Sequence, residues 1–342
     1  LRGSYFVLAL AALASITSGI VEMLTAALLG IILDIVLETG PERLFAEQGI
    51  FLIVSCAFIL FIRPIFFIIS AYAQSVVVGP NLRKLVATRL HRWTLGHSTS
   101  FFDNDFAGRI AQKEVQAASA LTDVMVEFLH TVLFAVASVI AAILIISSID
   151  WRIGLVVGIW FIGFYGLMRS FLPRIRLNSA ARANAQASAT GQIVDTVSNI
   201  SIVKLFANSR HEDNAALNAF EHLRGTSIEY GKSLTRFRTY LLVYSGVIFV
   251  AVTGSTIALW ATGNSTPGAV VAAGSVAMRL MMMAGWVSFS LMTIYTNLGE
   301  VEDAMNTLTS PHSLTDAENS QILEIDTAQV QFENLTFAYG RK

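Results

Sequence analysis

The chain of 342 residues is 54% hydrophobic and only 14% charged, with a mean hydropathy of +0.61 and a formal net charge of −1. A soluble domain carries roughly a quarter charged residues, so an ordinary cytosolic enzyme is excluded, and so apolar a chain cannot stay solvated as a disordered one. The near-zero charge leaves no basic footprint for nucleic acid, and the single cysteine, Cys56, has neither a disulfide partner nor a second thiolate for a metal site.

In chain order, the apolar runs predict six membrane-spanning helices at about 5–37, 50–78, 126–149, 152–172, 239–262 and 268–297. A helix rising 1.5 Å per residue crosses the hydrocarbon core in about 20 residues. Open strands would leave their backbone groups unpaired in lipid, so the spans are expected to be helical. The first run could also be read as a signal peptide cleaved after Ala12-Leu13-Ala14. Its apolar stretch continues well beyond that point, and its removal would leave an odd number of spans.

Connections near 38–49, 150–151 and 263–267 are short, whereas 79–125 and 173–238 are long and hold six and nine of the 23 basic residues. By the positive-inside rule the long segments face the cytoplasm, which predicts a multi-pass protein of the cell membrane. Those segments read as helical. Leu82, Leu85, Val86, Leu90 and Trp93 recur at helical spacing, and 174–196 is rich in Ala, Gln and Asn without a proline. A second span continued to His97 would be roughly 70 Å long, so the helices are expected to overshoot the bilayer and carry short reversals far from it.

The first reversal runs Phe101-Phe102-Asp103-Asn104-Asp105-Phe106-Ala107-Gly108, an aromatic pair followed by turn formers. The second, Val197 to Phe206, places Asn199, Ile200 and Val203 in an apolar run within a hydrophilic region. Either could be a plain helical hairpin turn, but exposed apolar tips on long stalks also suit a partner surface. Residues 310–328 are polar and read as a linker. From 329 to 342, Val330, Phe332, Phe337 and Tyr339 alternate as in a strand, with a register shift at Asn334-Leu335.

Within the spans, Glu22 and Arg279 are the deepest charges, with Arg63 and Arg169 nearer the ends of apolar runs. Such charges usually face a bundle interior or a water-filled cavity. Glu22 and Arg279 can either pair or line one polar patch for an anionic or amphipathic substrate, while Arg63 and Arg169 read more readily as structural or snorkelling. Trp286, beside Met281-Met282-Met283 and Phe289, makes the sixth span aromatic and adaptable.

Together these features resemble the ATP-binding cassette exporters that fuse a six-helix membrane domain to a C-terminal nucleotide-binding domain. The resemblance rests on Phe101, Phe102, Asp103 and Gly108 in the first reversal, on Asn199, Ile200, Val203, Lys204 and Phe206 in the second, and on Phe332, Asn334, Leu335, Phe337 and Tyr339 in the tail. It implies an all-α integral membrane domain over 1–309 with two coupling helices at about 105–112 and 197–205, the linker 310–328, and the first β-strand of a truncated nucleotide-binding domain over 329–342.

The resemblance also implies that Phe102, Asp105, Phe106, Gly108, Asn199, Ile200 and Val203 couple to nucleotide-binding domains, and that Tyr339 stacks on adenine. It implies a second half-transporter and membrane lipids as partners, and ATP with Mg²⁺ as cofactors of the full-length transporter. Glu22, Arg279 and Trp286 are then candidates for the substrate cavity of an exporter moving a lipid-like, drug-like or other amphipathic compound by alternating access. No G-x-x-x-x-G-K-[S/T] loop and no signature motif occur in the sequence, so these residues are expected neither to bind ATP unaided nor to hydrolyse it. An ATP-independent channel or secondary carrier is the alternative. A carrier is expected to interrupt its spans around a midplane site, and only Pro64 lies well inside a predicted span.

Overall fold

In a computed structural model, residues 5–103, 107–206, 209–309 and 329–336 are described. Helix α1 spans Tyr5–Thr39, and α2 runs over Leu44–Leu95. A short helix α3, Thr99–Asp103, fills the first reversal. Helix α4 begins as Ala107–Glu127 and continues through Phe128–Val132 and Leu133–Ile149. Then come α5 (Trp151–Ser198), the short α6 (Ile200–Leu205), α7 (Ser209–Ala261) and α8 (Pro267–Leu308). The six long helices are long and apolar enough to cross a membrane. At 48 and 53 residues, α5 and α7 measure about 70–80 Å, so the overshoot expected from the sequence is present.

Helix α2 stays continuous past two prolines because each follows a π-turn. Pro64 and Pro80 cannot donate to the carbonyl four residues back. The residue before each, Arg63 or Gly79, reaches back five residues instead, to the carbonyls of Phe58 and Gln74. Each π-turn, Phe58–Ile62 and Ala73–Val78, absorbs the missing donor and shifts the helical register. A third, Phe128–Val132 in α4, has no proline beside it.

Helices in lipid gain nothing from burying apolar area alone, so close packing and interhelical hydrogen bonds carry their association. The main core joins α1, α4, α5, α7 and α8, with Ile146, Val157, Ile248, Val276 and Leu280 fully enclosed. Trp160 and Tyr244 lock α5 to α7. Their rings stack at 5.8 Å, the indole donates to the Tyr244 carbonyl at 3.0 Å, and the phenol donates to the Trp160 carbonyl at 2.8 Å. A smaller core of Ala11, Val78, Leu82 and Leu129 holds α2 against α1 and α4. Beside it, Gln74 donates to the hydroxyls of Ser15 and Ser70 at 2.8 and 2.9 Å. Only 6% of the apolar window of α2 is buried, against 44% for α4 and α8, so α2 presents most of its apolar surface outward.

The two ends of the bundle are built differently. At the short-loop end, α1 and α8 touch backbone to backbone, and a Cβ added at Gly30 would overlap the carbonyl of Gly268. Asp34 then reaches across to accept from the Gly268 amide at 2.7 Å and the Thr266 hydroxyl at 2.6 Å, capping the N-terminus of α8. At the stalk end the ties are side-chain bonds between distant segments. The Trp93 indole donates to the Leu308 carbonyl at 2.9 Å, Lys113 pairs with Asp303, and Arg176 lies 3.8 Å from Glu302. On the stalk portion of α7, the Lys232 hydrogen bond and its charge hold the Glu229 carboxyl below its ordinary range.

One finding departs from the sequence reading, and two others bear on it. The short helix of the first reversal lies at Thr99–Asp103 rather than about 105–112, and residues from Ala107 onward belong to α4, whose buried face begins with Ile110, Ala117 and Ala118. Pro173 sits inside the unbroken α5, one residue past the expected fourth span of 152–172. The described part of the tail, 329–336, is exposed and carries no strand, and the rest of the expected strand, 337–342, lies outside the described residues. A strand exists only with a neighbour to complete its ladder, and none lies alongside among the described residues. Asn334 does take a positive φ of 50°, at the position where the register was expected to shift.

Candidate functional site

One carboxylate between two guanidiniums forms the centre of the spanning region. Glu22 of α1 is 6% exposed. The Arg63 Nε of α2 donates to its Oε2 at 3.0 Å, and the Arg63 Nη2 lies 3.4 Å from its Oε1. Arg279 of α8 forms an ion pair with the same Oε1. The two arginine side chains remain 32% and 39% exposed, so they satisfy the carboxylate while keeping an open flank. An isolated charge at mid-bilayer costs about 2.5–3.5 kcal/mol on insertion scales, and this arrangement offsets that cost with short, charge-assisted bonds. One guanidinium is nevertheless in excess, giving the triad a residual positive charge.

An aromatic row extends from it. The Arg63 guanidinium sits 5.5 Å from the centre of the Phe67 ring. Phe67 meets Phe134 at 6.0 Å, Phe134 meets Trp286 at 5.7 Å, and Trp286 lies 6.4 Å from His130. Trp286 is 39% exposed, so this predicted residue has one face packed and one available. Nearby, Thr131 donates to Glu127 at 2.7 Å and bonds to Ser290 at 3.1 Å. Glu22 and Arg279, singled out from sequence as deep charges, are therefore in contact. Arg63, ranked below them, completes the set. The sequence signal for Arg63 was its neighbour Pro64, since a π-turn beside a proline turns the following side chain onto a new helical face.

At the second reversal, Asn199 breaks the line between α5 and α6. Its side chain donates to the Asp195 carboxylate at 3.0 Å, and its carbonyl accepts from the amides of Ile202 and Val203 at 2.9 and 3.1 Å. Below it, Thr196 donates to Glu212 at 3.0 Å, tying α5 to α7. Ile200 is exposed and Val203 half-buried. Ile202, Leu205 and Phe206, which were not among the selected site residues, are more exposed than Ile200.

At the first reversal, Phe102 is exposed and meets Phe101 edge-on at 5.3 Å. Phe101 packs on His97 at 4.2 Å, and His97 on Trp93 at 6.0 Å, so the aromatic tip continues into the bond with Leu308. Gly108 lies in the first turns of α4. Asp105, Phe106 and Tyr339 lie outside the described residues.

This is the architecture of a multi-pass membrane protein built on the exporter-type helical fold. A solved structure described as a bacterial Atm1-family ABC exporter with ATP bound superposes on 95% of the chain with a TM-score of 0.75, at 14% identity and covering 57% of that protein. The ABC transporter transmembrane region family matches residues 8–284, and the chain belongs to that family. A relative from Haemophilus influenzae, described as an uncharacterized ABC transporter ATP-binding protein, is 27% identical over 339 residues, which is 99% of this chain and 55% of the relative. The chain thus spans little more than half the length of these proteins.

Proposed function

We propose that the chain is the membrane-spanning part of an ATP-driven exporter that works as a dimer of half-transporters. Residues 1–309 would form the permease, 310–328 the linker, and 329–342 the opening of a nucleotide-binding domain. The long reversals would face the cytoplasm in a cell-membrane protein, in line with their basic residues. Docked nucleotide-binding domains would push on Phe102 and on the Asn199–Phe206 turn, and the stalks would carry that motion to the spans. Glu22, Arg279 and Trp286, joined by Arg63, would line the path of an amphipathic substrate during alternating access.

ATP and Mg²⁺ would supply the driving hydrolysis. This sequence has no phosphate-binding loop, so no step of hydrolysis is assigned to its residues, and Tyr339 would contribute at most a stacking face for adenine. The observation that carries the reading is the second reversal: Ile200, Ile202, Leu205 and Phe206 are exposed at the tip of two helices of about 70–80 Å. An exposed apolar tip at the end of such a stalk suits a protein partner. In the full-length protein, Ile200→Asp and Val203→Asp should separate ATP hydrolysis from transport while the protein still inserts. Normal substrate movement in vesicles carrying both variants would reject the coupling role.

A further inference from the structure

Helices α4, α5 and α8 enclose a crevice of about 600 Å³ on the stalk side of the triad, within the range of small-molecule sites. Its walls are apolar, with Val136, Phe164, Met168, Leu172, Val287 and Leu291 among them. The polar side chains lining it are Arg169, Tyr165 and Tyr295, and no acidic side chain does. Arg63, Arg176 and Arg279 each meet a carboxylate, whereas Arg169 has no ion pair among the described residues. Pro173 also lines the crevice and lies within α5. It has no N–H to give the carbonyl four residues back, so the Arg169 backbone loses its helical donor at the same spot.

We propose that this crevice is a binding site for an acidic amphiphile. The anionic group would sit on the Arg169 guanidinium, with the Tyr165 and Tyr295 hydroxyls as further donors, and the apolar tail would lie between α4, α5 and α8. Three features require such a ligand together. The Arg169 guanidinium is exposed at the mouth of the crevice and has no ion pair among the described residues, so it is free to receive an anion that a neutral guest would not supply. A small inorganic anion would leave the apolar walls empty. The thioether of Met168 and the flat rings of Phe161 and Phe164 accommodate a chain or ring of varied shape. Basic pockets between membrane helices near one surface also attract anionic headgroups. The acid could belong to a membrane lipid or to a free amphiphile, and both present the same chemistry to Arg169. The site stands independently of transport.

The test uses the full-length protein in phosphatidylcholine nanodiscs, with dansyl-undecanoic acid as the probe, its methyl ester as the uncharged control, and a buffer alkaline enough to ionise the acid. The acid should bind saturably and at least about tenfold more tightly than the ester, the size of one charge-assisted hydrogen bond. Arg169→Gln should abolish that preference without weakening the ester, and Arg169→Lys should retain most of it. Val287→Trp, which fills the crevice, should weaken both forms. Equal affinity for acid and ester, or an unchanged preference in Arg169→Gln, would overturn the proposal. Displacement of the probe by phosphatidylglycerol in the nanodisc assigns the site to a lipid headgroup, and displacement only by free dodecyl phosphate assigns it to a soluble amphiphile; either result upholds the acid site. ATP-driven uptake into vesicles is measured separately, so its absence alongside intact acid binding would remove the exporter reading and leave this site standing.

Discussion

The bundle holds arginines in two apolar settings, each near a proline, and treats them in opposite ways. Around Glu22, the π-turn before Pro64 places Arg63 against a buried carboxylate that also receives Arg279 from α8. Around Pro173, the cation of Arg169 faces a crevice without an acid. In the first setting one carboxylate ties three helices together. The second leaves one charge available. An arginine in a membrane helix therefore says little by itself. What matters is whether the fold supplies its counter-ion, because that decides between a structural tie and a place for an outside anion.

The strongest way to break this contrast is to remove the shared carboxylate. Glu22→Gln leaves two guanidiniums facing each other, and breaking a fully buried pair costs about 3–5 kcal/mol. With both arginines about one-third exposed, a loss of about 2–4 kcal/mol is expected, read as thermal stability of the purified protein in detergent. A variant as stable as the parent would show that the triad ties nothing together.

Arg279→Gln should cost less, about 1–2 kcal/mol, because Arg63 still holds the carboxylate. The double change Glu22→Gln with Arg279→Gln should be less harmful than the sum of the single changes, since the repulsion left by the first is relieved by the second. Strict additivity in that cycle would deny contact between the two side chains. The smallest effect is expected at Arg169→Gln, within about 0.5 kcal/mol of the parent, as no ion pair among the described residues is lost. A large destabilisation there would mean that Arg169 is as structural as Arg63, and the contrast would fail.

Much of this was readable from the sequence, for identifiable reasons. The six spans were legible because lipid demands long uninterrupted apolar runs, and Glu22 and Arg279 stood out because charge is costly inside them. The second reversal was marked by its apolar run within a hydrophilic region, whereas the turn that Asn199 closes with Asp195 was not legible. Contacts between distant segments were not legible. Glu22 and Arg63 are 41 positions apart, and Trp93 meets the Leu308 carbonyl across 215. Neither bond leaves a periodic trace. The crevice beside Arg169 needs three helices at once, so a lone arginine at the end of a span read as a snorkelling one. The first short helix was misplaced because Asp103-Asn104-Asp105 gives no local rule for which side of the turn coils.

The contact between Gly30 and Gly268 carries a mechanical implication. With the Asp34 cap beside it, this contact fixes one end of α8, whose 42 residues extend about 60 Å. Pivoting there, each degree of tilt carries Leu308 sideways by about 1 Å. The indole of Trp93 is bonded to that end, so a tilt would draw the aromatic stack of His97, Phe101 and Phe102 along with it. Any tilt of α8 about this contact would therefore reach the first reversal with the whole length of the helix as its arm.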